Sequence, residues 1–89
     1  MTPRQAVLDV MQAQWMGIDA FVLNVNSLEE WATNTIAWLF EASERFDFRL
    51  FFSFDMLHFK HPSEFFPLLR QYIDHAAYYV FEGRPVVSE

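Results

Sequence analysis

The chain contains no cysteine, so it forms no disulfide and holds no thiolate metal site. It has only two glycines, Gly17 and Gly83, and neither lies in a glycine-rich or Gly-x-Ser-x-Gly pattern. Phosphate-cradling loops and the nucleophile elbow of acyl transfer are thereby excluded. Basic residues are scarce: six Lys and Arg against twelve Asp and Glu, a formal net charge of -6. With no cluster of cations to track phosphates, nucleic acid is not an expected partner. No apolar run approaches the ~20 residues that cross a bilayer, so no membrane partner is expected. The first residues, Met1-Thr2-Pro3-Arg4-Gln5, lack the apolar core of a secretion signal.

Large apolar side chains are abundant instead. Hydrophobic residues make up 53% of the 89 and aromatics 19%, which rules out a disordered segment. Eleven Phe, three Trp and three Tyr ask for more cover than so short a chain easily supplies. That mismatch points to part of a larger unit.

Thr2-Pro3 is a helix start, and Val7, Val10 and Met11 carry helical spacing to about Met16, where Gly17 ends the helix. A β-rich run follows at Ala20–Val25. Ser27-Leu28-Glu29-Glu30 reads as a capping box, with Ser27 as the cap and Glu30 reaching back. The helix it opens buries Ala32, Ile36, Leu39, Phe40 and Ser43 and frays near Phe46. Arg49–Asp55 is a strand covered on both faces. After a loop from Met56 to Pro62, Ser63 caps a third helix whose expected buried face is Phe66, Leu69, Ile73 and Ala76. Pro67 is tolerated in its first turn. Glu82-Gly83 marks a turn, and Arg84–Ser88 begins a third strand.

Helices and strands alternate, the pattern of a parallel sheet with right-handed crossovers. Strand side chains alternate in direction. Phe21, Leu23 and Val25 share one face, and Leu50, Phe52 and Phe54 share the corresponding face of the next strand. Val22, Asn24 and Asn26 point the other way, as do Phe51, Ser53 and Asp55, and Val86 with Ser88. One face is wholly apolar and suits a helix layer. The other turns polar toward the carboxyl ends, as in a barrel interior opening to a polar mouth. Asn24, Asn26, Asp55 and Ser88 are expected to gather there.

Asp55 is the leading candidate, since ligands of parallel sheets meet the chain past the carboxyl ends of the strands. A carboxylate there can equally cap the N–H groups of the following loop. Asn24 and Asn26 either touch a ligand or satisfy local backbone. Met56, His58 and Phe59 form a loop wall beside that position. His58, His61 and His75 with Asp55 invite a metal reading. The spacing of the first two lies in a loop, and His75 at a helix end serves the dipole, so no metal is assigned. Asp19 precedes its strand and reads as structural. Trp31 and Trp38, seven residues apart on one flank of the second helix, are stripe residues or sugar platforms.

Gly17-Ile18-Asp19-Ala20-Phe21-Val22-Leu23-Asn24-Val25, Leu50-Phe51-Phe52-Ser53-Phe54-Asp55-Met56, Tyr72-Ile73-Asp74-His75-Ala76-Ala77 and Gly83-Arg84-Pro85-Val86-Val87-Ser88 resemble blocks of glycoside hydrolase family 71 in the family's order. These are the α-1,3-glucanases, or mutanases, best represented in fungi. The Phe-Phe-Ser-Phe-Asp-Met block is the specific one. The resemblance implies an α/β fold, namely part of a TIM (β/α)8 barrel with three parallel strands and flanking helices. Residues 1–89 would be a fragment of one catalytic barrel, the region of strands two to four. It further implies an extracellular or cell-wall enzyme acting on α-1,3-glucan without a cofactor.

Glycoside hydrolysis needs two carboxyl groups flanking the scissile bond. The resemblance puts the family's pair in an Asp-x-x-Glu beside a Trp-Asn-Asp segment, and this sequence has neither. Glu89 inherits no role. No catalytic residue is therefore expected in this chain, and Asp55, Asn24, Asn26, Met56 and His58 are expected to contact substrate. The competing expectation is a non-catalytic fragment that self-associates through open sheet edges or binds carbohydrate through Trp31 and Trp38.

Overall fold

The computed structural model describes residues 2–18, 20–55, 59 and 61–88. Helix α1 spans Pro3–Trp15. The Oγ1 of Thr2 accepts the N–H of Gln5 at 3.1 Å, and Pro3 occupies the first turn, where its missing donor costs nothing. Ala6, Val10 and Ala13 form its buried stripe. Gly17 takes φ +83°, and the N–H groups of Gly17 and Ile18 return to the carbonyls of Gln14 and Ala13, both at 3.0 Å. Only glycine reaches that left-handed turn without strain, and it delivers the chain into β1, Ala20–Val25.

Helix α2 spans Glu30–Arg45, two residues later than a cap at Ser27 requires. Glu29 is the capping residue, with extended ψ of 160° and no side-chain bond to the helix. Ser27 Oγ instead accepts the N–H of Glu29 at 3.1 Å, a turn two residues on, so the capping box is not formed. A box would need helical backbone already at Leu28. At the far end Asp47 adopts φ +55°, the N–H of Phe48 reaches Ser43 O at 2.8 Å, and Arg49 pairs with the Asp47 carboxylate at 3.0 Å. Strand β2 follows at Arg49–Phe54.

The third helical segment departs from expectation. Pro62–Glu64 is a 3-10 turn, and α3 spans only Phe66–Tyr72. Its buried residues are Phe65, Leu68 and Tyr72, while Phe66 and Ala76 are exposed. A 3-10 turn advances three residues per turn rather than 3.6, so a stripe counted from Ser63 slips by one. Phe59 is also buried, against Phe54 and Phe65, and is core rather than loop wall.

β1 pairs with β2 in parallel from Ala20↔Arg49 to Val25↔Phe54. The third strand of the sheet is interrupted. It enters beside Leu50, whose N–H bonds Ala77 O at 2.8 Å and whose carbonyl accepts Tyr79 N–H at 2.7 Å. The chain then leaves the sheet as a hairpin of β3, Val80–Phe81, and β4, Arg84–Pro85. Glu82 and Gly83 turn it with φ of +52° and +78°, both positive as a two-residue type I′ turn requires. The N–H of Val86 closes back on Tyr79 O at 3.1 Å, and β5, Val87–Ser88, resumes parallel pairing with Phe52 and Ser53. The expected single strand over Arg84–Ser88 is thus split between hairpin and sheet. The architecture is α/β, with a three-stranded parallel sheet in the order β1-β2-β5.

The Tyr78 side chain repairs the gap. Its hydroxyl accepts the N–H of Phe52 at 3.3 Å and donates to Val86 O at 2.7 Å. A side chain thereby stands in the ladder where the chain has detoured, and the Phe52 N–H and Val86 carbonyl are both satisfied.

Leu50, Phe52 and Phe54 face the helices and are completely buried. Phe40 of α2 is stacked on Tyr72 at 4.3 Å and meets Phe52 at 5.6 Å. Phe54 lies flat on Phe65 at 3.8 Å. Burial of each such ring is worth about 1.5–3 kcal/mol, so this aromatic layer carries the fold.

Candidate functional site

The register between strands decides which side chains meet on the face opposite the helices. Asn24 pairs with Ser53, and Ser53 with Ser88. Paired residues of a parallel sheet point the same way, so the three make one polar row across the sheet. Below it, toward the amino ends, Val22 pairs with Phe51, whose ring meets Tyr79 at 5.8 Å. Above it come Asn26 and Asp55. The N–H of Asp55 bonds Val25 O at 2.9 Å, extending the ladder one residue past β2, and Asp55 O accepts Phe59 N–H at 3.0 Å. The open face is therefore apolar at its base and polar toward its carboxyl ends, as the alternation predicts.

Asn24 and Asn26 are exposed, while Ser53, Asp55 and Ser88 are half-buried. The Asp55 position thus has both the placement of a ligand-contacting carboxylate and a structural bond through its backbone. Met56 and His58, the other two expected contacts, lie outside the described residues, as do Asp19 and Glu89. Among the described residues the open face bears one carboxylate, Asp55.

The remaining histidines are drawn elsewhere. His75 Nδ1 accepts the N–H of Ala77 at 3.0 Å, and its Nε2 lies 3.5 Å from Glu44 Oε2. Its ring meets the edge of Phe40, which makes it a clasp between α2 and the entry to the third strand. His61 is exposed, and its backbone N–H is bonded to the Glu64 carboxylate at 3.3 Å.

A cleft of about 220 Å³ adjoins the polar row. Asn24, Asn26, Ser27, Trp31 and Thr35 contribute its polar and aromatic lining, over an apolar floor that includes Val25 and Ile36. The indole of Trp31 is 62% exposed, and its N–H donates to Glu29 Oε2 at 2.7 Å. Trp38 does not share this cleft; it lies with Pro3, Val7 and Arg45 where α1 meets α2. The two tryptophans occupy one helix but two different surfaces. Trp31 and Thr35, four residues apart on a helix opening four residues after Asn26, were a signal within the sequence for this grouping.

Comparison with known proteins identifies the family. The model of glycosyl hydrolase family 71 matches residues 2–89. The chain belongs to that family. A mutanase of Penicillium rubens is 33% identical over 82 residues, covering 90% of this chain and 18% of the mutanase. The family-71 chain thus spans less than a fifth of that relative's length. No solved structure matches it. No helix among the described residues is long and apolar enough to cross a membrane.

Proposed function

We propose that these residues form part of the catalytic barrel of an endo-1,3-α-glucanase, the region of its strands two to four, and supply one wall of its glucan-binding cleft. The observation that carries this reading is the polar row Asn24–Ser53–Ser88 with Asp55 above it, at the carboxyl ends of parallel strands on the face without helices. In (β/α)8 enzymes that end of the barrel is where substrates bind. Asp55 accepts hydrogen bonds from sugar hydroxyls, and Asn24 and Asn26 offer amides that both donate and accept. Met56 and His58 are proposed as further substrate contacts. The enzyme works on polysaccharide outside the cell or in the cell wall.

The chemistry belongs to residues beyond these. Hydrolysis needs an acid and a second carboxylate on opposite sides of the bond, and one open-face carboxylate cannot fill both roles. The 89-residue chain, incubated with α-1,3-glucan and assayed for reducing ends, is expected to give no turnover. Release of sugar that Asp55→Asn abolishes would overturn this division of labour.

A second reading, a self-associating fragment, is favoured by α1. Leu8, Met11 and Trp15 form an exposed apolar stripe, with Trp15 89% exposed. The unpaired edge of β1 adds hydrogen-bonding groups suited to another strand.

A further inference from the structure

We infer that Phe59 is a positioning residue for Asp55: its buried ring anchors the turn that sets the direction in which the Asp55 carboxylate meets glucan. The inference rests on the glucan-binding reading above and adds to it a residue outside the polar row. Strand β2 is paired on both sides, by β1 and β5, so its carboxyl end stays at the mouth when such a sheet closes into a barrel. Asp55 is where the chain leaves that sheet. Leu50 shows the regular parallel pattern, its N–H on Ala77 O and its carbonyl on the N–H of Tyr79, two residues later. The N–H of Asp55 keeps this pattern, bonded to Val25 O at 2.9 Å, and the pattern would send its carbonyl to the N–H of Ser27. That carbonyl instead accepts the N–H of Phe59 at 3.0 Å. The peptide groups on the two sides of the Asp55 Cα are thus both tied, one to β1 and one to Phe59. The direction of the Cα–Cβ bond follows from them.

What holds Phe59 is a niche of rings. It meets Phe54 at 6.4 Å and Phe65 at 5.6 Å, both edge-on, while those two stack on each other at 3.8 Å. All three are buried. Phe54 is the residue before Asp55 and Phe65 the one before α3, so the Phe59 ring joins the strand end to the next helix. It cannot swing into solvent without emptying that niche, which close packing opposes. A carboxylate whose backbone is held before the ligand arrives loses less freedom on binding. Without the ring the turn loosens, the Asp55 carboxylate takes more directions, and affinity falls through Asp55 alone.

The test is a double-mutant cycle, read by calorimetric titration of the 89-residue chain with short soluble α-1,3-linked glucose oligomers. Wild type, Phe59→Leu, Asp55→Ala and the double variant are compared after circular dichroism has matched their folds. Leucine keeps the niche largely filled, so the cycle is readable even where Phe59→Ala unfolds. Asp55→Ala is expected to weaken binding about tenfold and Phe59→Leu about fivefold, while Phe59→Leu added to Asp55→Ala costs nothing more. Phe48→Leu is the control for mere loss of stability. Phe48 is as deeply buried, against Phe21 just before β2, so its variant should lower the urea midpoint and leave affinity unchanged. If Phe59→Leu binds like wild type, or weakens binding equally with and without Asp55, the positioning role is wrong while the reading of the row survives. If Asp55→Ala binds like wild type, Asp55 is no contact and the inference fails with it. If wild type binds no oligomer, the reading of the row falls as well.

Discussion

Tyr78 is a residue whose removal should be felt well beyond its own contacts. Its hydroxyl joins the N–H of Phe52 to the carbonyl of Val86, so Tyr78→Phe leaves a buried donor without its partner. Such a loss costs about 1–3 kcal/mol, to be read from a urea midpoint. Burial raises the pKa of this phenol above its ordinary 10.0, the bond from Phe52 N–H pulling the other way, and burial alone raises that of Tyr72. With the folded pKa above the unfolded one, stability is intact below about pH 10 and falls as pH rises toward the folded value. The urea midpoint should accordingly drop above pH 10, and by less in Tyr78→Phe. Ser43 offers the opposite case. Its Oγ is fully buried and has no hydrogen-bond partner among the described residues. Ser43→Ala should therefore leave stability unchanged or raise it by up to about 1 kcal/mol, measured the same way.

Among the elements, the strands were more legible than the third helix. β1 and β2 announce themselves by alternation and β-rich composition, and a parallel register follows once helices intervene. The polar row was legible for the same reason, because alternation alone puts Asn24, Ser53 and Ser88 on one side. Two things were hidden. The 3-10 turn at Pro62–Glu64 shifts the phase of α3, and a period of 3.6 counted across it selects Phe66 where the fold buries Phe65. The hairpin at Val80–Pro85 reads locally as a turn, but nothing local reveals that it interrupts a strand which a tyrosine hydroxyl then repairs. Gly83 is where that hairpin is most sensitive. Its φ of +78° lies in open space, so Gly83→Ala meets backbone strain without a clash. A loss of about 1 kcal/mol is expected by thermal or urea unfolding, with the β1–β2 pairing preserved.

At the scale of the whole molecule the helix-covered face of the sheet is packed with aromatic rings, while α1 and the edge of β1 present apolar surface to solvent. Sedimentation of the wild-type chain should show association rising with concentration. Leu8→Lys with Trp15→Lys should shift it toward monomer without unfolding it, and a clean wild-type monomer would count against that association. The open face of the sheet carries, among the described residues, a row of neutral hydrogen-bonding groups above an apolar base, with one carboxylate at its upper end. The central claim, that this face holds α-1,3-glucan, is tested most directly by co-sedimentation with the insoluble polymer. The account predicts that wild type pellets with α-1,3-glucan, and that a row emptied by Asn24→Ala and Asp55→Ala stays in solution with its circular dichroism unchanged. Equal pelleting of wild type and variant, or equal retention on β-1,3-glucan, would contradict it.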